Sequence, residues 1–391
     1  MFIEEKMDFN LSEEIIAMRD VARDFALKEI KPHLDMDEKE HRFRPEIVRK
    51  MADLGFFGCV IPEQYGGNNA GHLASVVITE EIARVSASWG LPFNMQTMGP
   101  GLAILNWGTE EQKKKYIPAL VKADIMGCFA ITEPNSGSDV ASMETFAAET
   151  ADGFVLNGSK TWISNAHVAD IGLVFAYTDK NAQPKHKGIS CFLVDMKNTR
   201  GIETRPIDGK LGLHCAPTGT ITFEDAKIPK AALLGPKGEG FKICMSMLDC
   251  TRLSSAARAV GVARACLEES VKYALERKQF GSPIADFQMI QDQIAQMKVE
   301  EEAARLLVWR AAAKRDRGER NTLEVSIAKY YAGEAAVNAA NNAVKIFGSY
   351  GYSTEYPVER LLRDSKSYQI VEGTSNIQKT IIASFALGKR K

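Results

Sequence analysis

A single carboxylate, Glu372, lies in an otherwise uncharged run near the end of the sequence, YQIVEGTSNIQ at positions 368–378. Val371 and Gly373 flank it, so its side chain can be partly withdrawn from water. A carboxylate in such surroundings accepts a proton more readily, which is the property of a general base. The same residues allow a second interpretation, in which Glu372 is a helix-capping acid ahead of Thr374.

Two further segments combine small, hydroxylated and aromatic residues at the ends of predicted strands. ITEPNSGSD at 131–139 exposes backbone N–H groups and hydroxyls that suit a polar, planar or phosphorylated ligand, although an ordinary β-turn has the same composition. In KTWISN at 160–165, Trp162 and Ser164 alternate along a strand and therefore share one face. That face suits the ring of an aromatic cofactor, but a core tryptophan would also explain it.

Two charged segments lie on predicted helices. ERKQFG at 276–281, followed by Phe287 and Gln288, combines a basic pair with aromatic residues, which suits a pyrophosphate and an adenine. Cations at a helix C-terminus are the alternative. Asp249 and Arg252 are three residues apart and share a helix face, where a simple ion pair is the alternative to a binding role.

The elements that position these residues belong to a chain of 391 residues, long enough for several domains. Its 49 basic and 50 acidic residues nearly balance, so no net charge favours nucleic acid or an anionic membrane. The seven cysteines include no CxxC pair, which favours a reducing compartment over a disulfide framework. The six histidines include no helical pair at ligand spacing, so we expect no metal site.

Several common nucleotide-binding and catalytic motifs, and the usual targeting signals, do not occur in the sequence. The sequence has no GxGxxG after a strand, no GxxxxGK[ST] and no GxSxG, which disfavours a nicotinamide fold, a P-loop and a nucleophile elbow. The first six residues carry neither an apolar signal core nor an Arg-rich presequence, and no apolar run approaches membrane-spanning length. We therefore expect a cytoplasmic protein without membrane insertion.

Hydrophobic periodicity divides the sequence into helical, β and helical segments. Apolar residues recur at helical spacing up to about position 121, short β-rich runs fill 127–234, and long helical patterns return from Gly240. Strands without intervening helices favour an antiparallel barrel or sandwich. We predict an α+β multidomain protein with an N-terminal α-helical domain (1–125), a central β domain (126–236) and a C-terminal four-helix bundle (237–391).

Four segments in this order closely resemble the acyl-CoA dehydrogenase family. They cover almost the whole chain and are ITEPNSGSD (131–139), KTWISN (160–165), RKQFG (277–281) and YSTEYPVERLLRDSKSYQIVEGTSNIQ (352–378). The family has a helical domain, a β domain and a C-terminal four-helix bundle, as the periodicity predicts. The resemblance implies an FAD-dependent enzyme that oxidises an acyl-CoA thioester to the enoyl-CoA and passes electrons to an electron-transfer flavoprotein.

The resemblance also implies roles for single residues. Glu372 would remove the α-proton while the β-hydrogen leaves as hydride to flavin N5, and the Glu372 N–H with an FAD ribityl hydroxyl would stabilise the enolate. FAD would contact Phe129, Ile131, Thr132, Ser138, Trp162, Ser164, Gln288, Lys345, Gly348, Thr374 and Asn376. Arg277, Gln279 and Phe280 would reach the FAD of a neighbouring subunit, which implies a homotetramer or at least a dimer. Ser138, Asp249, Arg252 and Gly373 would contact the acyl-CoA.

Departures from the family pattern bear on the substrate. The run 128–145 and the tail resemble the glutaryl-CoA dehydrogenase branch, whose arginine for the distal carboxylate of the substrate corresponds to Gly90 here. We therefore expect a neutral short, branched or alicyclic acyl group, with glutaryl-CoA as the alternative. Some branches place the base at Thr251, and threonine cannot serve, which favours Glu372. Apolar residues for an acyl pocket, or for a helix core, are Trp89, Leu91, Phe93, Met95 and Met98.

Three further alternatives share the fold. An enoyl-CoA reductase would use the same groups in the reverse direction, and an acyl-CoA oxidase would pass electrons to oxygen, although such relatives are usually much longer. A noncatalytic flavin- or CoA-binding protein would not need Glu372. At the flavin, Lys345 and Ser349 replace the glutamine and glycine of many relatives, so contacts there are expected to be rearranged.

Overall fold

The computed structural model describes residues 10–389, so the expectation about the first six residues lies outside the described part. The chain begins with six α-helices: α1 (Glu13–Phe25), α2 (Leu34–Glu40), α3 (Pro45–Asp53), α4 (Gly71–Val85), α5 (Leu102–Trp107) and α6 (Glu110–Val121). Pro45 occupies the first turn of α3, and Thr109 with Gln112 forms a capping box at α6, as the sequence predicts.

Two π-helical segments, Ala26–Ile30 and Asn94–Gly101, interrupt this helical part. Such segments often occur at functional sites. Pro100 lies inside the second one, and its missing N–H group breaks the regular α-helical hydrogen bonding. The consequence is a locally widened helix whose first residue is Asn94.

The middle of the chain forms an eight-stranded sheet. Its strands are β1 (Gly127–Ala130), β2 (Phe146–Glu149), β3 (Gly153–Ser164), β4 (Ile171–Tyr177), β5 (Ile189–Asp195), β6 (Ile202–Pro206), β7 (Thr218–Pro229) and β8 (Leu233–Leu234). The order is β6-β7-β3-β2-β4-β5-β8, with β1 beside β4. Most pairs are antiparallel as expected, while β1 and β2 each pair with β4 in parallel.

The sequence predicts separate strands at 154–156 and 160–164, but both belong to β3. A register shift between Leu156 and Gly158 lets β3 stay paired with β7 through the irregular stretch. Gly158 has φ +139°, a conformation that favours glycine. The glycine therefore acts as a bulge inside one strand and does not end it.

The chain ends in five more α-helices: α7 (Gly240–Glu276), α8 (Gln288–Asp316), α9 (Thr322–Phe347), α10 (Val358–Ser365) and α11 (Ser375–Ala386). A hairpin of β9 (Lys278–Gln279) and β10 (Ser282–Pro283) joins α7 to α8. Short 3₁₀ turns are Lys31–His33, Phe56–Gly58, Glu63–Tyr65, Ser88–Gly90, Val140–Ser142, Lys185–Gly188, Lys230–Ala232, Ile284–Asp286, Gly348–Tyr352 and Lys366–Gln369.

Helix α7 is the central element of the molecule. It packs against α4 of the N-terminal part and against α8 and α9, and most of its residues between Leu253 and Cys266 are buried. One apolar core joins the two helical parts, and a second lies within the sheet. A residue on α7 can therefore face the N-terminal helices and the C-terminal tail together.

Within residues 10–389, no helix is both long and apolar enough to cross a membrane. The seven cysteines, all of which lie in this range, are buried as free thiols.

Candidate active site

Two neutral side chains hold the carboxylate of Glu372. Asn94 donates from Nδ2 to Oε1 at 3.0 Å, and Thr251 donates from Oγ1 to Oε2 at 2.7 Å. Thr374 caps α11 by accepting the Ile377 N–H at 3.3 Å, so Glu372 is not the capping residue. The carboxylate is half-buried where the π-helical segment, α7 and the tail meet.

The backbone at Glu372 and Gly373 is left-handed, with φ +57° and φ +87°. A glutamate with positive φ is uncommon and persists only where its surroundings fix it. Arg252 Nε donates to the Glu372 carbonyl at 3.0 Å, and Lys329 Nζ donates to the Gly373 carbonyl at 2.8 Å. Gln378 Nε2 donates to both carbonyls, at 3.2 Å and 3.0 Å. Three side chains thus fix the direction of the carboxylate.

This loop gives a first prediction. Gly373→Ala should lower the rate of flavin reduction, because a Cβ there would lie 2.8 Å from Gln378 Nε2 and alanine disfavours φ +87° by about 1–2 kcal/mol. Gly318→Ala is the matched control, since Gly318 has φ +76° but nothing lies within 4 Å of the added Cβ. Both variants are compared by stopped-flow absorbance and thermal melting. Equal rates for the two variants would contradict a positioning role for the loop.

Asp249 and Arg252 form the predicted helical ion pair, with 3.0 Å between Arg252 Nη1 and Asp249 Oδ1. Thr322 Oγ1 donates to the other Asp249 oxygen at 2.7 Å. Since Arg252 also bonds to the Glu372 carbonyl, this pair ties α7 to the loop of the carboxylate. The structure therefore brings together Glu372, Gly373, Asp249 and Arg252.

A buried ion pair shapes the segment that leaves β1. Lys160 and Glu133 are both buried, and Lys160 Nζ donates to Glu133 Oε1 at 2.8 Å and to the Ile131 carbonyl at 3.0 Å. Burial lowers the pKa of Lys160 to about 8. Burial opposes ionisation of Glu133, but the Lys160 charge and the hydrogen bonds from Lys160, Thr145 and Glu144 together outweigh it and lower the pKa of that carboxyl. The pair fixes the course of the chain between Ile131 and Glu133.

Trp162 forms an exposed aromatic surface on the β domain. Its side chain is 59% exposed and its φ is +59°, at a register shift between Lys160 and Ile163. The next residue, Ile163, is buried in the core of the β domain, and Ser164 is half-buried. An exposed indole held in an uncommon backbone conformation fits a site for a planar ring.

The other residues expected to contact FAD differ in how exposed they are. Ile131 is buried, Phe129 and Thr132 are half-buried, and Ser138 is exposed. The β9–β10 hairpin carries Arg277, Gln279 and Phe280, all exposed, and Phe280 is 97% exposed. Exposed residues also include Gln288, Lys345, Gly348 and Asn376. Among the described residues, no hydrogen bond joins the hairpin to Glu372.

The apolar residues considered for an acyl pocket pack in the N-terminal part. Trp89, Phe93, Met95 and Met98 are buried, and Leu91 is half-buried. Trp89 stacks on Phe43 with 5.5 Å between the ring centroids. These side chains thus contribute to the helix core, and Asn94 lies among them with its amide on the carboxylate of Glu372.

Sequence analysis missed Asn94, Lys160 and Lys329 as site residues. Asn94 is 278 residues from its partner Glu372, and no local pattern connects them. Lys160 and Lys329 could have been found from the sequence, because each is a lysine within an apolar strand or helix. A fully buried lysine is rare without a partner, so such a position indicates a polar contact. Burial lowers the pKa of Lys329, like that of Lys160, to about 8.

The described residues thus include a fixed carboxylate where the π-helical segment, α7 and the tail meet, and an exposed indole on the β domain. Family profiles of acyl-CoA dehydrogenases match the chain in three parts: the N-terminal domain at residues 12–124, the middle domain at 128–226 and the C-terminal domain at 238–387. The chain therefore belongs to the acyl-CoA dehydrogenase family and is an oxidoreductase.

Individual relatives agree with this assignment. The chain is 50% identical over 389 residues to a glutaryl-CoA dehydrogenase of Desulfococcus multivorans, covering 98% of this chain and 99% of the relative. It is 42% identical to the CarC subunit of the caffeyl-CoA reductase-Etf complex of Acetobacterium woodii, covering 97% and 99%. A solved glutaryl-coenzyme A dehydrogenase in complex with glutaryl-CoA superposes with a TM-score of 0.95, at 49% identity and 98% coverage of both chains.

Members of the family depend on FAD. A solved structure of PigA with FAD and proline superposes with a TM-score of 0.93, at 30% identity, covering 98% of this chain and all of the other. The residues present here fit such a cofactor, because Trp162 exposes an aromatic side chain, Ser164 lies two residues further along the same strand, and Ser138 is exposed in the loop 131–139. The predicted FAD site is thus compatible with the described side chains.

Proposed function

We propose that the chain oxidises an acyl-CoA thioester to the α,β-enoyl-CoA, with Glu372 as the base that removes the α-proton. The observation that carries this proposal is the Glu372 carboxylate itself, which has only the neutral donors Asn94 and Thr251 and a backbone fixed by Arg252 and Lys329. A fixed carboxylate without a direct ion pair retains its capacity to accept a proton. FAD, when bound, supplies the acceptor for the β-hydrogen as hydride.

The same loop serves the thioester oxygen. The α-proton of a thioester is only weakly acidic, so negative charge that develops on the oxygen must meet fixed donors. We propose the Glu372 N–H for this role, because the carbonyls on both sides of Gly373 are held by other side chains and the loop cannot rotate freely. Proton removal and oxygen stabilisation would then depend on one rigid turn.

The remaining contacts follow from the positions of the side chains. We propose that FAD lies against Phe129, Ile131, Thr132, Trp162 and Ser164, with Ser138 and Gly373 toward the CoA thioester and Asp249 and Arg252 along the CoA chain. The 97% exposure of Phe280 supports a contact of Arg277, Gln279 and Phe280 with a neighbouring subunit, hence a homotetramer. Secondary FAD contacts are proposed for Gln288, Lys345, Gly348, Thr374 and Asn376.

The proposed electron acceptor is an electron-transfer flavoprotein. The similarity to a subunit of a caffeyl-CoA reductase-Etf complex supports this partner, and it also keeps the reverse reaction, reduction of an enoyl-CoA, as the second candidate. The seven buried free thiols are consistent with a cytoplasmic location. The domain boundaries proposed are 1–125, 126–236 and 237–391.

An anaerobic titration of the purified holoenzyme with acyl-CoA thioesters tests the reaction. Straight-chain, branched, alicyclic and dicarboxylic thioesters are added in turn while the absorbance of oxidised flavin is followed. We expect one class to bleach the flavin within seconds, which would establish dehydrogenation and the acyl class together. A flavin that no thioester bleaches, but that is reoxidised by an enoyl-CoA after chemical reduction, would favour the reductase.

A further inference from the structure

Helix α9 approaches the loop of Glu372, residues 368–375, so closely that one helix position requires a small residue. A Cβ at Gly333 would lie 2.7 Å from the carbonyl oxygen of Tyr368, closer than side chains tolerate. Gly333 has no positive φ, so the packing depends on its size and not on its backbone freedom. The loop that carries Glu372 therefore begins in direct contact with α9.

Glu334, the next residue of α9, contacts the loop on both sides of Glu372. Its Oε2 accepts a hydrogen bond from Gln369 Nε2 at 2.8 Å, and its Oε1 accepts one from Ser375 Oγ at 2.6 Å. The two donors lie three residues before and three residues after Glu372. Hydrogen bonds to an ionised acceptor are stronger than those between neutral groups. One carboxylate thus connects the two ends of the loop.

Apolar packing contributes little to holding the part of the loop just before Glu372. Ile370 is 59% exposed and Val371 is 37% exposed, so neither side chain anchors the loop in the core. The middle of the loop is held by the hydrogen bonds to the carbonyls of Glu372 and Gly373, and its ends by those to Glu334. The direction of the Glu372 carboxylate therefore depends on these polar contacts.

The contacts of Glu334 can be separated from its charge. Lys366 Nζ donates to Gln369 Oε1 at 2.6 Å, which leaves the Nε2 group of that amide for Glu334. A glutamine at position 334 can keep both contacts, because its Oε1 accepts from Gln369 and its Nε2 donates to Ser375 Oγ. Alanine at the same position removes both contacts together with the charge. The two substitutions therefore distinguish a clamp from an electrostatic effect.

We propose that Glu334 is a positioning residue for the base: it holds the loop 368–375 closed, so that the Glu372 carboxylate is directed at the α-carbon of the thioester. This inference rests on the proposed function, because the direction of Glu372 affects the reaction only if Glu372 is the base. Glu334 acts through the loop, by its bonds to Gln369 and Ser375. Displacing a reacting group by about 1 Å can lower a rate about 100-fold.

Anaerobic stopped-flow absorbance of the holoenzyme, with a thioester that bleaches the parent flavin, tests this role. We expect Glu334→Ala to reduce its flavin about 10–100-fold more slowly at saturating thioester, with the half-saturating concentration changed by less than about threefold. Glu334→Gln should recover most of the parent rate. Glu324→Ala is the matched control, because Glu324 is a half-buried glutamate ten residues earlier on α9 that pairs with Lys314 at 2.7 Å.

Hydrogen exchange of the loop tests the clamp independently of the reaction. The N–H groups of Ile370 and Val371 both donate to the Ser367 carbonyl at 2.9 Å, so their exchange reports opening of the loop. Mass spectrometry of the holoenzyme should show at least about tenfold faster exchange in Glu334→Ala than in the parent and in Glu324→Ala.

Three results would overturn the inference. They are equal exchange in Glu334→Ala and the parent, equal slowing of flavin reduction by Glu334→Ala and Glu334→Gln, and a loss of rate in Glu334→Ala that is matched by a loss of FAD and of thioester affinity. A parent flavin that no thioester bleaches would reject the proposed function separately. Faster exchange in Glu334→Ala would then still support the clamp on the loop.

Discussion

Glu372→Gln is expected to retain FAD and to bind the acyl-CoA, yet to reduce its flavin about 10²–10⁴-fold more slowly than the parent enzyme. Glutamine keeps the size of the side chain and can still accept a hydrogen bond from Thr251, whose Oγ1 is 2.7 Å from Oε2. An amide oxygen is not a base, so the α-proton has no acceptor. The fold should be preserved because both partners of the carboxylate are neutral.

Anaerobic stopped-flow absorbance measures this rate, and the FAD content and melting temperature are measured on the same samples. Glu111→Gln is the matched control, because Glu111 is exposed on α6. This substitution removes the same charge at a position away from the site. An unchanged rate of flavin reduction in Glu372→Gln would reject this residue as the base. A loss of FAD in that variant would instead show that the carboxylate has a role in cofactor binding.

Lys160→Met is expected to lower the free energy of unfolding of the β domain by about 3–5 kcal/mol. The substitution leaves Glu133 as a buried carboxylate without its cation, and the Ile131 carbonyl loses a donor at 3.0 Å. Because this pair fixes the segment between Ile131 and Glu133, FAD affinity should fall as well. Urea unfolding followed by circular dichroism and equilibrium dialysis of FAD measure the two effects.

The double variant Lys160→Met with Glu133→Gln distinguishes charge from packing. Removal of both charges should recover much of the lost stability, because the remaining amide can still accept the Thr145 N–H that Glu133 now accepts at 3.0 Å. Destabilisation that is equal in the single and double variants would mean that packing of the lysine side chain dominates. In that case the ion pair would contribute little to the fold.

The fold was largely predictable because its periodic patterns are long. The apolar run 171–177 predicts a strand with the bounds that the structure has, and the helical periodicity of 291–314 and 323–346 lies within α8 and α9. Three strands of the sheet were missed, and one of them, Leu233–Leu234, has only two residues. Phe146–Glu149 is rich in alanine and lacks β-branched residues, and Ile202–Pro206 ends in proline at the edge of the sheet, where a missing donor is tolerated.

The site was predictable only where a local pattern marks it. Glu372 stands out as a lone carboxylate, and the Asp249–Arg252 pair follows from helix geometry. No local pattern shows that Asn94 or Lys329 contacts the loop of Glu372, since both lie far from it along the chain. Nor does the sequence reveal that a Cβ at position 90 would lie 2.6 Å from Cγ of Arg258.

The hydrogen bonds to Glu372 can form only late in the folding of the chain. They join residues 278 and 121 positions apart, so the carboxylate acquires its partners only after both helical parts have docked. A chain emerging from the ribosome completes its N-terminal part first, so Asn94 is synthesised long before its partner Glu372. Contacts of such long sequence separation form late in folding. The proposed base therefore acquires its hydrogen-bond partners only where both helical parts have folded together, and we expect any truncation before Glu372 to yield an inactive protein.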